Sequence, residues 1–310
     1  MDLQDVSLSQ AIEGYFIAAH ARRLSPGTLA EYDRTFRRFE AYLDTDPPLR
    51  EITPAQVRRF LNGLDGLSAN SLVNCHTALS ALWTWAVQEG VVDRHMLREV
   101  QRPKAEKRVI VPYSEQDVKA MLAACDRSRG YARPGKRRCD HARPTALRDR
   151  AILMLLVDTG LRASELCSLR VRDIDFQNHR LMVMGKGAKE RVLPFDGRTA
   201  QALWRHLAAV DSQRGRDFLF RTRSGRPMDR HGVLKMLKAV GKRAGVEGVT
   251  VHRFRHTFAI TFLRNGGHVF ALQRMLGHST MQMVKHYLAL AEMDVERAHR
   301  DASPVANWLL

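Results

Sequence analysis

The chain has 310 residues, 27% of them charged and 45% hydrophobic, enough to bury a sizeable core and to form two domains. Fifty Lys+Arg against 33 Asp+Glu give a net charge of +17, so the surface field attracts polyanions and acidic partners. The longest unbroken apolar run, Ala151 to Val157, is far below the roughly 20 residues a membrane span needs, and the start MDLQDVSL is acidic where a secretion signal is basic; neither a membrane nor a secreted protein is expected, and a reducing cytoplasm is.

The charge is unevenly placed. Residues 1–105 carry 12 Lys+Arg against 13 Asp+Glu, whereas residues 106–310 carry 38 against 20. A domain boundary is expected between them, in the polar, proline-bracketed stretch RPKAEKRVIVPY (residues 102–113), which breaks helical periodicity on both sides.

The first part predicts four helices and no strand. SLSQAIEGYFIAAHA comes first. SPGTLAEYDRTFRRFEAYL follows, with Ser25 as N-cap, Pro26 at the first helical position, and an apolar stripe at Leu29, Tyr32, Phe36, Phe39, Tyr42 and Leu43. TPAQVRRFLNGL and SANSLVNCHTALSALWTWAVQEG repeat the pattern, each opened by a Ser/Thr cap; the last ends at Gly90 and aligns Leu72, Leu79, Leu82, Trp83 and Ala86. Arg34, Arg37 and Arg38 fall on nearly one face of the second helix, as a solvated face or as a phosphate contact.

The second part reads as mixed α+β, mainly helical. Helices are expected at 114–125, 145–158, 199–210, 230–244, 252–265, 268–276 and 280–290, with a strand, turn and strand in RLMVMGKGAKERVLPF. Asp126 to Arg150 is a Gly/Pro-containing run with nine Lys+Arg and three Asp, expected to be a surface loop long enough to be functional.

Six residues carry the chemistry: Arg162, Lys186, His252, Arg255, His278 and Tyr287. Arg162 in DTGLRASEL sits where Gly160 interrupts a helix and Ser164 and Glu165 restart it; taken alone it reads as a structural ion pair. His252 and Arg255 in HRFRHTFA are three apart at a helix N-terminus, on one face, where two such donors suit an oxyanion. His252 and His256 also have the spacing of zinc helices, but no glutamate follows His252 and no third ligand is evident; the cysteines (Cys75, Cys125, Cys139, Cys167) have no paired spacing. No metal is expected. His278 follows Leu276 and Gly277, a helix-ending signal, and Tyr287 in MVKHYLAL would ordinarily be a core tyrosine.

Together, DTGLRASEL, GKGAKERVLP, HRFRHTFA, LGHST and the tyrosine nine residues after His278 resemble the tyrosine recombinase (phage integrase) family in order and spacing, over nearly the whole chain. The resemblance is greatest to the Xer-like simple recombinases, with no preceding segment for a separate arm-site-binding domain. Phe254 stands where the family often has Leu, the basic stretch 126–150 is longer than usual, and the segment from Lys186 to His252 lacks room for the extra element of integron-type integrases. What the resemblance implies is an all-α core-binding (SAM-like) domain over 1–105. A catalytic domain with a small antiparallel sheet and a C-terminal tail follows over 106–310. Its substrate is double-stranded DNA, cut and rejoined through a covalent 3′-phosphotyrosyl intermediate by a DNA-bound tetramer assembled through that tail, with a second recombinase as an optional partner. The expected location is the nucleoid in the cytoplasm.

The residue types suit that chemistry. A phenol oxygen, here Tyr287, can store the energy of a broken phosphodiester covalently once deprotonated. The guanidinium forks of Arg162 and Arg255 stabilise the charge that develops on the non-bridging oxygens, and His278 hydrogen-bonds the same oxygens. Lys186 protonates the departing 5′-oxygen as general acid. His252 assists proton removal from Tyr287 or binds phosphate, and Glu165 orients the cations. Such a site needs no cofactor, metal or ATP. Two rivals stand beside this reading. A non-catalytic sequence-specific DNA-binding or architectural protein would match the charge but leave the six residues unexplained, and a metal-dependent nuclease would need a carboxylate cluster that the motifs do not supply.

Overall fold

Serine and threonine side chains open the first helices where the sequence marks them. Ser7 caps α1 (Leu8–Ala21) and Thr53 caps α3 (Pro54–Asn62), each in a reciprocal box with the glutamine three residues on. Ser25 caps α2 (Pro26–Leu43), whose first residue is proline, and Ser68 caps α4 (Ala69–Gln88). The computed structural model describes residues 5–105, 111–126, 143–185, 190–210 and 217–277, together with Tyr287, Ser303 and Val305. It divides into two compact units, Met1–Arg108 and Val109–Leu310.

The first unit is helical, with short 3-10 turns at Leu49–Glu51 and Met96–Glu99 that carry no periodic signal in the sequence. Phe36 and Phe39 of α2 and Leu79, Leu82, Trp83 and Ala86 of α4 are fully buried, while Leu72 is half-buried. Phe39 meets Phe60 edge-on at 5.0 Å between ring centroids. Truncating a side chain like Trp83 to alanine costs about 3–5 kcal/mol. Tyr42, placed on the apolar stripe by its spacing, is 41% exposed. It sits near the helix end, where α2 stops at Asp44 in a left-handed conformation.

In the second unit the order is α5 (Glu115–Asp126), α6 (Ala146–Thr159), α7 (Ala163–Ser168), β1 (Ile174–Asp175), β2 (Arg180–Met184), β3 (Glu190–Pro194), α8 (Gly197–Ala208), α9 (Arg230–Ala244), α10 (Val251–Arg264) and α11 (Val269–Leu276). The strands form one antiparallel sheet in the order β1-β2-β3, with Val183 opposite Arg191 and Leu181 opposite Leu193. Leu181, Val183 and Leu193 alternate into the core. α6 is the central helix: Asp149, Ala151, Ile152, Leu153, Leu155, Leu156 and Thr159 are all buried, and it packs against α5, α8 and α10. It ends at Gly160, whose φ of 61° and close approach to the Phe258 ring leave no place for a side chain. The helix expected at 280–290 lies outside the described residues except for Tyr287, which is helical and buried.

One expectation is corrected. The linker does not run to residue 113: Arg253 donates to the Val111 carbonyl (2.8 Å) and stacks on the Tyr113 ring (4.1 Å), and Tyr113 N–H donates to Thr257 Oγ1 (2.8 Å). Val111 to Tyr113 are therefore fastened to α10. The helix expected at 145–158 forms as α6 and takes in the end of the basic stretch. Residues 127–142 lie outside the described residues, but Arg143 and Arg148 converge on Asp149, which is completely buried at the start of α6.

Candidate active site

The site forms where helix ends meet: the turn from α6 into α7, the start of α10 and the end of α11. The turn after α6 brings Arg162 to the N-cap of α7 and Glu165 one turn inside it, so that Glu165 Oε2 accepts from the Arg162 backbone N–H (2.9 Å) and Oε1 from Arg162 Nη1 (2.9 Å). α10 starts at the Thr250 cap and places His252 and Arg255 one turn apart. Arg255, 3% exposed, donates from Nη1 to the Gly160 carbonyl (2.9 Å) and from Nη2 to the Leu276 carbonyl (2.6 Å). It thereby ties the end of α6 to the end of α11, which closes on Gly277 with φ 62°.

One member was not among the six. Arg191 on β3 grips Glu165 with both guanidinium nitrogens, Nη1 to Oε1 (3.0 Å) and Nη2 to Oε2 (2.9 Å), and donates from Nε to the Met275 carbonyl (2.8 Å). Arg162 Nη2 lies 3.5 Å from the Gly277 carbonyl. Three arginines thus address the carbonyls of Met275 and Leu276, the last two of α11, and of Gly277 that caps it, the negative end of its dipole. The signal for Arg191 was present in the sequence as a charge at an inward strand position, in step with Leu193.

The electrostatics are unbalanced. Burial works to raise the Glu165 pKa, and hydrogen bonds from Arg191 and Arg162 overcome it, leaving a lowered value and a carboxylate. Among the groups that act most strongly on Arg255, Glu165 is the one carboxylate, beside Arg162 and Arg191; burial first, then the Arg162 charge, brings the Arg255 pKa down to about 10. Desolvation, followed by the charges of Arg255 and Arg162, lowers the His252 pKa, so its imidazole is neutral at pH 7 even though part of the residue reaches solvent. Among the described residues, the guanidiniums of Arg162, Arg191 and Arg255 gather around the single carboxylate of Glu165, a setting that favours an anion.

Tyr287 is 4% exposed, among Phe258, Leu263, Leu272 and Leu276, with its ring 5.1 Å from that of His256. His256 in turn meets His252 edge-on at 4.4 Å. Burial raises the Tyr287 pKa, while the charge of Arg255, a hydrogen bond with it, and the charge of Arg162 act to lower it. The structure therefore brings together Arg162, Glu165, His252, Arg255 and Tyr287. Lys186 and His278 lie outside the described residues, the first in the segment joining β2 to β3 and the second directly after Gly277. Among the described residues no group of three or more His, Cys, Asp or Glu could hold a metal ion. Arg34, Arg37 and Arg38 are exposed on α2 of the first unit, where Arg34 pairs with Glu31 and Arg37 with Asp33.

Comparison with known families decides what this arrangement is. The model of the phage integrase family matches residues 112–293, and that of the phage integrase N-terminal SAM-like domain matches residues 12–90. The chain belongs to the phage integrase family. It is 27% identical over 296 residues to tyrosine recombinase XerD of Listeria monocytogenes, covering 92% of this chain and 95% of that protein. It is 30% identical over 298 residues to XerD of Corynebacterium glutamicum, covering 92% and 94%. The integrase of transposon Tn1549, solved in complex with circular intermediate DNA, has a TM-score of 0.73 at 22% identity and covers 95% of this chain and 99% of that one. A lambda integrase dimer bound to a core site gives 0.73 at 19%, covering 94% and 80%. The fold is that of the family, a SAM-like helical domain followed by a mostly helical catalytic domain with a three-stranded antiparallel sheet. The protein is a site-specific tyrosine recombinase, and the non-catalytic DNA-binding reading is set aside. No helix among the described residues is long and apolar enough to cross a membrane.

Proposed function

We propose that the recombinase cuts and rejoins duplex DNA with Tyr287 as nucleophile and Arg162 and Arg255 as the clamp on the scissile phosphate. The observation that carries this reading is the convergence of both guanidiniums with Tyr287 at the end of α11. The phenol oxygen attacks phosphorus, the bond to the 5′-oxygen breaks, and a 3′-phosphotyrosyl ester remains. His252, kept neutral by its surroundings, accepts the phenol proton, and Lys186 delivers a proton to the 5′-oxygen; the reverse transfers reseal the strand. His278 adds a hydrogen bond to the non-bridging oxygens. Because permanent cations already oppose the developing charge and the ester conserves the bond energy, the reaction needs neither divalent metal nor ATP.

Residues 1–105 serve as the core-binding domain and residues 106–310 as the catalytic domain, with Arg34, Arg37 and Arg38 on backbone phosphates. The C-terminal tail joins protomers in a DNA-bound tetramer, a second recombinase is an optional partner, and the setting is the nucleoid in the cytoplasm. Deleting residues 303–310 is then expected to spare binding to a single site and to weaken assembly; unaltered assembly would remove the tail from this scheme.

The test is binding-site selection from random duplexes with the full chain, followed by incubation with a duplex nicked beside the mapped cleavage point so that religation fails. A covalent protein–DNA adduct is expected in EDTA without nucleotide. Cleavage that stops in EDTA, or tight binding without adduct, would overturn the proposal.

A further inference from the structure

Arg191 lies between the parts of this site. It is 12% exposed, its fork occupies both oxygens of Glu165, and its Nε holds the Met275 carbonyl near the end of α11. It stands on β3, just past the segment that carries Lys186, opposite Val183 of β2. The Gly277 Cα–H side faces it so closely that a side chain there would sit 3.3 Å from Arg191 Nη1. One residue thus joins the strand after Lys186, the carboxylate beside Arg162, and the helix end before His278.

The charge count gives this contact a consequence. Glu165 has two oxygens, and a planar guanidinium can engage both. In the structure Arg191 takes that bidentate position, and Arg162 contacts only Oε1 with its side chain, leaving Nη2 on the exposed side, 3.5 Å from the Gly277 carbonyl, with the side chain 36% exposed. Without Arg191, Glu165 would neutralise Arg162 alone and draw its fork inward, away from the exposed side.

We propose that Arg191 is a positioning residue for strand cleavage: by sharing Glu165 it keeps the charge and the outer edge of Arg162 available to the scissile phosphate, and it sets the lysine-bearing hairpin against the end of α11. This rests on the recombinase reading of the Arg162–Arg255 clamp. It makes Glu165 harmful once Arg191 is gone, a coupling that simple packing would not produce.

The experiment uses the full chain and the nicked duplex described above, measuring the single-turnover rate of adduct formation, DNA affinity and thermal melting. Arg191→Met is expected to slow cleavage by on the order of 10²-fold, the scale for one misplaced oxyanion donor, with affinity nearly unchanged. Adding Glu165→Gln to Arg191→Met should recover about 10-fold of that loss, since it frees Arg162 again. A methylphosphonate at the scissile position, lacking the charged oxygen, should shrink the gap between Arg191→Met and the unmutated protein. A double variant slower than Arg191→Met alone, or a single variant cleaving as fast as the unmutated chain, would overturn the proposal. If Arg191→Met fails to fold, Arg191→Lys carries the test: it keeps the charge, loses the fork, and must show the same rescue by Glu165→Gln. Absence of adduct with the unmutated protein would instead sink the recombinase chemistry itself.

Discussion

Asp149 and Glu165 stand in the same unit, are both buried, and are each gripped by two arginines. Around Asp149 the guanidiniums are consumed by the protein: Arg143 also reaches the Cys125 carbonyl and Thr145, and Arg148 the Arg221 carbonyl. Around Glu165 the Arg191 fork is likewise consumed, but Arg162 keeps one edge only 3.5 Å from a backbone carbonyl and more than a third of its side chain exposed. Nearby Arg255 adds a further guanidinium, which acts together with Arg162 and Arg191 around the Glu165 carboxylate. A buried Arg–carboxylate cluster is therefore not in itself a functional sign. What separates the two is the donor capacity and solvent exposure that Arg162 retains.

The comparison breaks most visibly at Asp149. Asp149→Ala strands two largely buried arginines, and breaking such a buried pair costs about 3–5 kcal/mol; the expected result is a large fall in melting temperature with cleavage per folded molecule unchanged at low temperature. Arg162→Ala should do the opposite. Removing a transition-state donor lowers cleavage by roughly 10²–10³-fold, while melting moves little, because Arg191 still satisfies Glu165. Equal effects of both substitutions on melting and on cleavage would erase the distinction.

A smaller effect sharpens it through pH. The His252 pKa is lowered by desolvation and by the Arg255 and Arg162 cations, so the folded protein binds this proton later than the unfolded chain as pH falls. Stability contributed here is present above the ordinary histidine pKa and is lost as pH drops below it. Cleavage should likewise stay level from pH 8 through the usual histidine range and fall only beneath it. A fall centred above about 6.5, the unperturbed value, would mean that His252 is not shielded by those cations, and His252→Gln should remove the acid limb.

Much of this was legible in the sequence for local reasons. Caps at Ser7, Ser25, Thr53 and Ser68 bond within four residues, so the helix starts are written in adjacent letters. Arg162 with Glu165, and His252 with Arg255, are likewise single-turn pairs. Arg191 escaped notice because its partners lie 26 and 84 residues away. The anchoring of Tyr113 on Thr257 spans 144 residues, and its proline-bracketed surroundings look like linker until α10 is in place. Asp149 falls in a helix that was expected, and its partners Arg143 and Arg148 are close by, but its complete burial follows only from the packing of α6 against α5, α8 and α10.

The central claim is that Tyr287 carries the DNA. The direct measurement is to trap the adduct on the nicked duplex, digest the protein, and identify by mass spectrometry which of the six tyrosines bears the nucleotide. The account predicts the phosphodiester on Tyr287 and no adduct from Tyr287→Phe, with DNA affinity nearly unchanged. A nucleotide on any other side chain, or an adduct surviving in Tyr287→Phe, would contradict it.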